Sequence, residues 1–135
     1  MNEPEEIATD EAGIHAAVQR AESMLASTDN DTCWQGAILL GEFCETAPET
    51  IWPAVIRLGS SPDDDMRTAI ATCVLEHILE HHFELFFDRC RELVSAGNSA
   101  FADTLRRCWR FGEAELPTNK AKLDELLKQI EPNVA

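Results

Sequence analysis

SPDDDMRTAIATCVLEHILEHHF, residues 61–83, opens with three aspartates and continues as a helical pattern. Aspartates suit a helix N-terminus, because their side chains accept hydrogen bonds from free backbone N–H groups and the helix dipole favours negative charge there. The apolar residues that follow lie nearly all the way round the helix: Ile70, Cys73, Val74, Leu75, Ile78 and Leu79. We therefore predict a helix from about Asp63 to Glu80 or His82, surrounded by other helices.

The same plan recurs, weakly, on both sides of this segment. About 32 residues earlier, the matching positions hold Asp31, Trp34, Gln35, Ala37, Ile38 and Gly41. About 35 residues later, they hold Phe101, Thr104, Leu105, Cys108 and Trp109. A period in the thirties with helices inside it is typical of stacked helical repeats, in which each unit buries its apolar face against its neighbours.

Apolar periodicity and helix breakers predict further helices on either side. Their expected bounds are about Asp10–Ala26, Thr32–Thr46, Pro48–Gly59, Phe83–Ser95, Ser99–Phe111 and Thr118–Ile130. Gly36 and Gly41 each cost about 1 kcal/mol relative to alanine inside a helix, so we expect a neighbouring helix to approach closely there. Pro53 predicts either a helix start slightly before it or a kink.

The fold class expected from these elements is all-α, because no segment reads convincingly as a strand. Short connections indicate three antiparallel helix pairs followed by a C-terminal capping helix. We predict a single α-helical repeat domain over residues 10–131, preceded by a flexible acidic tail over residues 1–9.

Here the chain resembles the HEAT-like and armadillo-like repeat families, over about residues 10–112. The resemblance rests on aspartates before the second helix of a pair, then a hydrophobic–Arg pair and a small residue three places on. Asp65-Met66-Arg67-Thr68-Ala69-Ile70 shows this pattern, whereas the first unit has Trp34-Gln35 and the third has Phe101-Ala102-Asp103. The resemblance implies a short right-handed superhelix (HEAT-like) whose second helices line a concave face. Such families mostly bind proteins or peptides, and a minority bind or process nucleic acid.

Composition narrows the function classes. The 135 residues are 44% hydrophobic and 27% charged, as in one globular domain. The formal net charge of −14 disfavours nucleic acid and anionic membranes as partners and favours basic ones. The five cysteines form no CxxC motif and predict buried free thiols in a reducing compartment. With neither a signal peptide nor a membrane-spanning run in the sequence, we expect a cytoplasmic protein.

A histidine-rich helix end is the first candidate site. His77 and His81 share a helix face, and with Glu80 they spell the pattern H-x-x-E-H found in some zinc hydrolases. Those enzymes need a third protein ligand and contain sheet. Histidines also suit a helix C-terminus, where a positive imidazole complements the dipole. We therefore expect no metal site and no cofactor, with His77, Glu80 and His81 as the residues that a metal would use.

A group of arginines is the second candidate site. Arg106, Arg107 and Arg110 are expected on one face of the helix over residues 99–111, beside Asp103, and Arg67 lies in the preceding unit. Guanidinium groups in one patch can clamp a phosphate, a carboxylate-rich peptide or a nucleic-acid backbone.

The structural alternative stays open for the arginines and for two other groups. The arginines can pair with acidic neighbours such as Glu113 and Glu115, or with aspartates of the preceding unit. Asp63, Asp64 and Asp65 lack the spacing of a calcium loop and are expected to cap a helix. The tryptophans Trp34, Trp52 and Trp109 are expected in the core.

The function that we predict is a non-catalytic protein- or peptide-binding module, a small α-solenoid adaptor or inhibitor. It would use Arg67, Arg106, Arg107 and Arg110 with Asp103, or its carboxylates against a basic partner. The alternatives are a nucleic-acid-binding protein similar to the DNA-alkylation-repair glycosylases, with Asp103 near Trp109, and a metal-dependent enzyme at His77 and His81. Apolar surfaces at the ends of the repeat would also allow a homodimer.

Overall fold

A computed structural model describes residues 10–129, and within that range all regular structure is helical. The α-helices are α1 (Glu11–Leu25), α2 (Asn30–Gly41), α3 (Pro48–Gly59), α4 (Asp64–Ile70), α5 (Glu76–His81), α6 (Phe83–Ser95), α7 (Ser99–Arg106) and α8 (Pro117–Gln129). A π-helical turn, Ala71–Leu75, joins α4 to α5, and a 3₁₀ turn, Gly112–Glu115, precedes α8. The predicted acidic tail and the end of the predicted domain lie outside the described residues.

Side-chain caps start four of these helices, and the cap by an aspartate at the start of α4 is the one that the sequence predicts above. Asp29 accepts hydrogen bonds from the backbone N–H and hydroxyl of Thr32, at 2.9 and 2.6 Å. Asp10, Asp63 and Asn98 cap α1, α4 and α7 in the same way. Each cap satisfies a backbone donor that the first helical turn leaves without a partner.

The predicted close approach at the two helical glycines is confirmed. A Cβ atom on Gly36 would lie 2.8 Å from the carbonyl oxygen of Ala21 and from the Cβ of Met24, so α1 and α2 pack backbone to backbone. At Gly41, a Cβ atom would overlap the carbonyl of Cys73 in the π-helical turn. Both glycines therefore lower the intrinsic stability of α2 but allow neighbouring backbone to pack against it more closely.

The core lies where the middle helices meet. α1 packs on α2, α3 on α4, and α6 on α7, and α4 also contacts α7. The Trp52 ring of α3 makes edge-on contacts with Phe86 of α6 and Phe101 of α7, at centroid distances of 5.0 and 6.1 Å. The all-α class is thus confirmed. Among the described helices, none is long and apolar enough to cross a membrane.

Two predicted helix ends and one helix interior are wrong. α2 ends at Gly41 rather than at Thr46, with a turn over residues 42–46. The long central helix contains the π-helical turn, which the sequence did not predict. α7 ends at Arg106 rather than at Phe111: the N–H groups of Arg107 and Cys108 still donate to carbonyls of α7, but that of Trp109 donates to a side chain of α5.

Candidate binding surface at Trp109

Residues 108–112, here called the strap, connect α7 to the 3₁₀ turn. The strap has no regular structure before Gly112, where the backbone turns with a φ of +53°. A Cβ atom on Gly112 would also lie 2.8 Å from the carbonyl oxygen of Glu80, so both conformation and space require glycine. The strap therefore passes directly over α5.

Glu76, the first residue of α5, fixes the strap from below. Its side chain is buried, and its Oε1 accepts a hydrogen bond of 2.8 Å from the backbone N–H of Trp109. Burial raises the pKa of the Glu76 carboxyl above its usual value, although the bond from Trp109 and the nearby His77 oppose the shift. The buried side chain of Glu76 thus holds the backbone of the strap at Trp109.

The π-helical turn lies immediately before Glu76 and contributes to the same region. Its Ala71 carbonyl accepts from the Cys108 thiol of the strap at 3.6 Å, and its Val74 carbonyl accepts from the Cys44 thiol at 3.1 Å. The turn adds one residue to the helical repeat, so it changes which side chains of the helix face the strap. Glu76 follows it directly.

The residues of the H-x-x-E-H pattern also contact the strap or each other. His77 Nδ1 lies 2.8 Å from Glu80 Oε1, and the His77 ring stacks on Phe111 with centroids 6.0 Å apart and planes 7° apart. His81 Nε2 is 3.9 Å from the same Glu80 oxygen. Over residues 10–129, no group of three His, Cys, Asp or Glu side chains could hold a metal ion. Two of its three residues lie against the strap, since His77 stacks on Phe111 and Glu80 approaches Gly112.

Trp109 is the most exposed large apolar side chain of the described structure, at 71%. Its prediction as a core residue is wrong, because α7 ends before it and the strap turns its indole outward. Trp52 is buried as predicted, and Trp34 is half-buried. Phe111 and Leu116 are also exposed, at 39% and 54%.

A cavity of about 530 Å³ opens beside the indole. It is lined by Cys108, Trp109, Arg110, Glu115 and Lys120. Its walls come from the strap, the 3₁₀ turn and α8, so it is formed by the short elements that follow α7. Its volume is within the range of small-ligand and side-chain pockets, about 300–1,000 Å³.

Three of the five predicted site residues come together elsewhere. Asp103 Oδ2 accepts from Arg67 Nε at 2.9 Å and from Arg107 Nε at 2.7 Å. Arg67 also pairs with Asp64, and Arg107 donates to the Thr68 hydroxyl at 2.7 Å. This cluster joins the start of α4 to the end of α7, and Arg107 also lies 3.7 Å from Asp64, so one of the three arginines pairs with an aspartate of the preceding unit as the structural alternative describes.

The three arginines expected on one helix do not all lie within it, because α7 ends at Arg106. Arg110 lies beyond the end of α7 and pairs with Asp124 of α8 at 2.6 Å. Arg106 is half-buried in the last turn of α7. Asp103, held between two guanidinium groups, makes no contact with Trp109 among the interactions of the described chain. Arg110 thus pairs with a different helix from the one that Arg67 and Arg107 join.

The cysteines are free thiols, as predicted. Cys44 and Cys90 are buried, and the other three are half-buried. Burial, with smaller contributions from Cys73 and Glu80, raises the pKa of the Cys44 thiol to about 12. A thiol that stays protonated at neutral pH is a poor nucleophile, so Cys44 has a packing role.

Sequence reasoning missed Glu76 and Lys120. The signal for Glu76 was present, since a single carboxylate interrupts the apolar run over residues 73–79. No sequence signal pointed to Lys120, because only the strap and the 3₁₀ turn bring it close to the other residues that line the cavity.

No family model matches the chain, and no curated protein or solved structure matches it either. Its class is therefore given by its geometry alone: an all-helical chain with an anchored, outward-facing tryptophan beside a cavity.

Proposed function

We propose that this chain is a non-catalytic protein- or peptide-binding module that binds through the cavity-lining residues Cys108, Trp109, Arg110, Glu115 and Lys120, here called the Trp109 surface. One observation carries the proposal: a 71% exposed tryptophan on a backbone fixed by a buried glutamate. Exposing an indole to water is unfavourable, and tryptophan is among the residues that contribute most to protein interfaces.

The fixed backbone favours binding because it lowers the entropy lost on association. The strap is held at Cys108, at Trp109 and at Phe111 by three different contacts with the central helix. A side chain on an already ordered backbone loses less conformational entropy on binding than one on a mobile loop.

The groups that could perform acid–base chemistry have positioning roles in this proposal. Glu76 binds a backbone N–H, while His77 and Glu80 bind each other beneath Phe111. The proposal therefore uses these three side chains to hold the strap.

The wider setting is also part of the proposal. We propose that the packed pairs α1–α2, α3–α4 and α6–α7 form a short HEAT-like superhelix, which agrees with the weak repeat in the sequence. A cytoplasmic location agrees with five free cysteines.

Affinity capture from a lysate of the source organism tests the function. The bait proteins are wild type, Trp109→Ala and Leu85→Ala, the last a matched control because Leu85 is a 51% exposed apolar residue on α6. We expect proteins that wild type and Leu85→Ala retain and that Trp109→Ala loses, with equal helicity of all three baits by circular dichroism. Equal recovery of every retained protein by Trp109→Ala would contradict the proposal.

A further inference from the structure

His77, in the first turn of α5, lies between two carboxylates. Its Nδ1 is 2.8 Å from Glu80 Oε1, and its Nε2 is 3.6 Å from Glu76 Oε2. A neutral imidazole carries a hydrogen on only one of its ring nitrogens, whereas a protonated imidazole carries one on each. The protonated ring is therefore the form that is attracted to both carboxylates at once.

The Glu76 carboxylate connects this histidine to the strap. Its Oε1 accepts the hydrogen bond of 2.8 Å from the Trp109 N–H, while its Oε2 faces His77. Burial raises the pKa of the Glu76 carboxyl, and the bond from Trp109 and the nearby His77 both oppose that shift. A positive charge on His77 stabilises the ionised carboxylate, which is the stronger acceptor for the Trp109 N–H. The charge of His77 thus strengthens the bond that holds the strap.

The His77 ring also supports the strap by direct contact. It stacks on Phe111, with ring centroids 6.0 Å apart and planes 7° apart. The hydrogen bond between Nδ1 and Glu80 fixes the orientation of the ring in this stack. The strap therefore has two contacts, at Trp109 and at Phe111, that depend on the same histidine.

Other ionisable groups lie on α5 and on the elements around it. They are Cys44 in the turn after α2, Cys73 in the π-helical turn, Glu84 in α6, Cys108 and Arg110 in the strap, and Glu113 and Glu115 in the 3₁₀ turn. Burial raises the pKa of the three thiols, so they stay uncharged at neutral pH. Arg110 is bound to Asp124, and Glu113 accepts from the N–H of Phe83.

Two further histidines follow His77 in the chain, and their contacts differ from those of His77. His81 Nε2 is 3.9 Å from Glu80, and His82 Nε2 is 2.7 Å from the backbone carbonyl of Glu45. Histidine is the side chain that ordinarily changes its charge between about pH 5 and 8. Among the three, His77 is the one whose contacts within residues 10–129 include both Glu76 and the strap.

We infer that protonation of His77 regulates the Trp109 surface: the protonated ring holds the strap in its binding position, and loss of the proton as pH rises loosens the strap. The regulation of binding rests on the proposed function, whereas the effect on the strap does not. By linkage, a partner that binds the held strap must in turn favour protonation of His77.

Backbone ¹⁵N NMR of the free protein tests the effect on the strap. The heteronuclear NOE of the Trp109 amide, which reports backbone order, is measured at about pH 6 and about pH 8, within the range in which histidine changes charge. The proteins are wild type, His77→Gln and His81→Gln. Glutamine is uncharged at both pH values and keeps a donor for Glu80. His81→Gln is the matched control, because it removes a histidine from the same helix whose ion-pair contact is with Glu80.

The expected result is an NOE that is lower at the higher pH in wild type and in His81→Gln, and equal at the two pH values in His77→Gln. Any titration of Glu76 itself would persist in His77→Gln, so the comparison separates it from the effect of His77. An NOE that does not change in wild type, or that falls equally in His77→Gln, would overturn the inference. Loss of the pH dependence in His81→Gln as well would also overturn it, because the contact with Glu76 would then not be what decides.

Affinity capture at the two pH values tests the regulation of binding, with wild type, His77→Gln and Trp109→Ala as baits. We expect wild type to recover about two- to fivefold less of the Trp109-dependent proteins at the higher pH, since a partly exposed ion pair contributes modestly. His77→Gln should recover equal amounts at both. Equal recovery by wild type at both pH values, beside a changing NOE, would overturn the regulation of binding and leave the proposed function standing. Absence of any Trp109-dependent protein would overturn the proposed function and its regulation together.

Discussion

At the scale of single residues, Glu76 connects the core to the Trp109 surface. It is a buried carboxylate whose main partner is a backbone N–H of the strap. Burial disfavours the charged form of Glu76, whereas the hydrogen bond from the Trp109 N–H favours it. Substitutions at Glu76 should separate the cost of burying the charge from the contribution of the hydrogen bond. Glutamine retains the carbonyl acceptor without the charge, while alanine removes both.

The Glu76→Gln variant should show a pH-dependent gain in stability. Because burial raises the folded-state pKa of Glu76, the group's contribution is fully present below its unfolded value of 4.5 and is lost as pH rises through the folded value. Urea denaturation should therefore show the variant gaining on wild type as pH rises through this window. Glu125→Gln, an exposed change of the same kind on α8, is the control. A difference that stays constant with pH would contradict the account.

The Asp103→Asn variant should lose stability at neutral pH, by about 1–2 kcal/mol, because it removes the charged acceptor shared by Arg67 and Arg107. Burial raises the pKa of Asp103, but the hydrogen bonds from Arg107 and Arg67 outweigh it and hold the pKa below 3.8. The contribution is thus present above 3.8 and is lost as pH falls through the folded value.

Urea denaturation of Asp103→Asn at neutral and strongly acidic pH checks this sign. The difference between the free energies of unfolding of wild type and Asp103→Asn should be smaller at the acidic pH. Asp88→Asn breaks an exposed pair with Arg91 and should cost less than about 0.5 kcal/mol. Equal costs for the two variants would show that the Asp103 cluster is no stronger than a surface ion pair.

At the scale of elements, the π-helical turn is the feature that organises the region. It lies between α4 and α5, accepts thiol hydrogen bonds from two directions and packs against Gly41 of α2. The turn contacts the backbone of α2 on one side and the strap on the other. It therefore cannot move to accommodate a larger side chain without disturbing one of these contacts.

Gly41→Ala should therefore be destabilising, by about 1–3 kcal/mol, because its methyl group would overlap the Cys73 carbonyl. Alanine normally stabilises a helix relative to glycine, so the sign of this change reports the contact rather than helix propensity. Chemical denaturation measures it, with Glu42→Ala at the adjacent exposed position as control. A stabilised Gly41→Ala variant would contradict the packing.

Helix bounds set by local residues such as proline and glycine were predicted correctly from the sequence. Helix ends set by tertiary contacts were not. The bounds of α3 and α6 follow from Pro48, from the Gly59 break and from the Gly97 turn, all visible in sequence. The end of α7 does not, because residues 107–111 fit a helix and are diverted by the Glu76 carboxylate. The position of Trp109 depended on that end, so the candidate surface could not be predicted either.

At the scale of the whole molecule, charge and surface act at different ranges. The net charge of −14 governs long-range encounters, and its effect on the rate of association should weaken as salt rises. In the proposed function, the anchored tryptophan governs the contact itself. A binding surface can function on a strongly charged protein because dissolved salt screens long-range repulsion more than it screens interactions at contact distance.

The most direct test of the central claim follows the indole N–H signals of the three tryptophans by ¹⁵N NMR during titration with a peptide from a captured partner protein. Trp109 is exposed, Trp34 is half-buried and Trp52 is buried, so the three probes report different parts of the fold. The account predicts a shift of the Trp109 signal that saturates with the peptide, while the signals of Trp34 and Trp52 stay in place. A saturating shift at Trp34 or Trp52 with an unmoved Trp109 signal would contradict it.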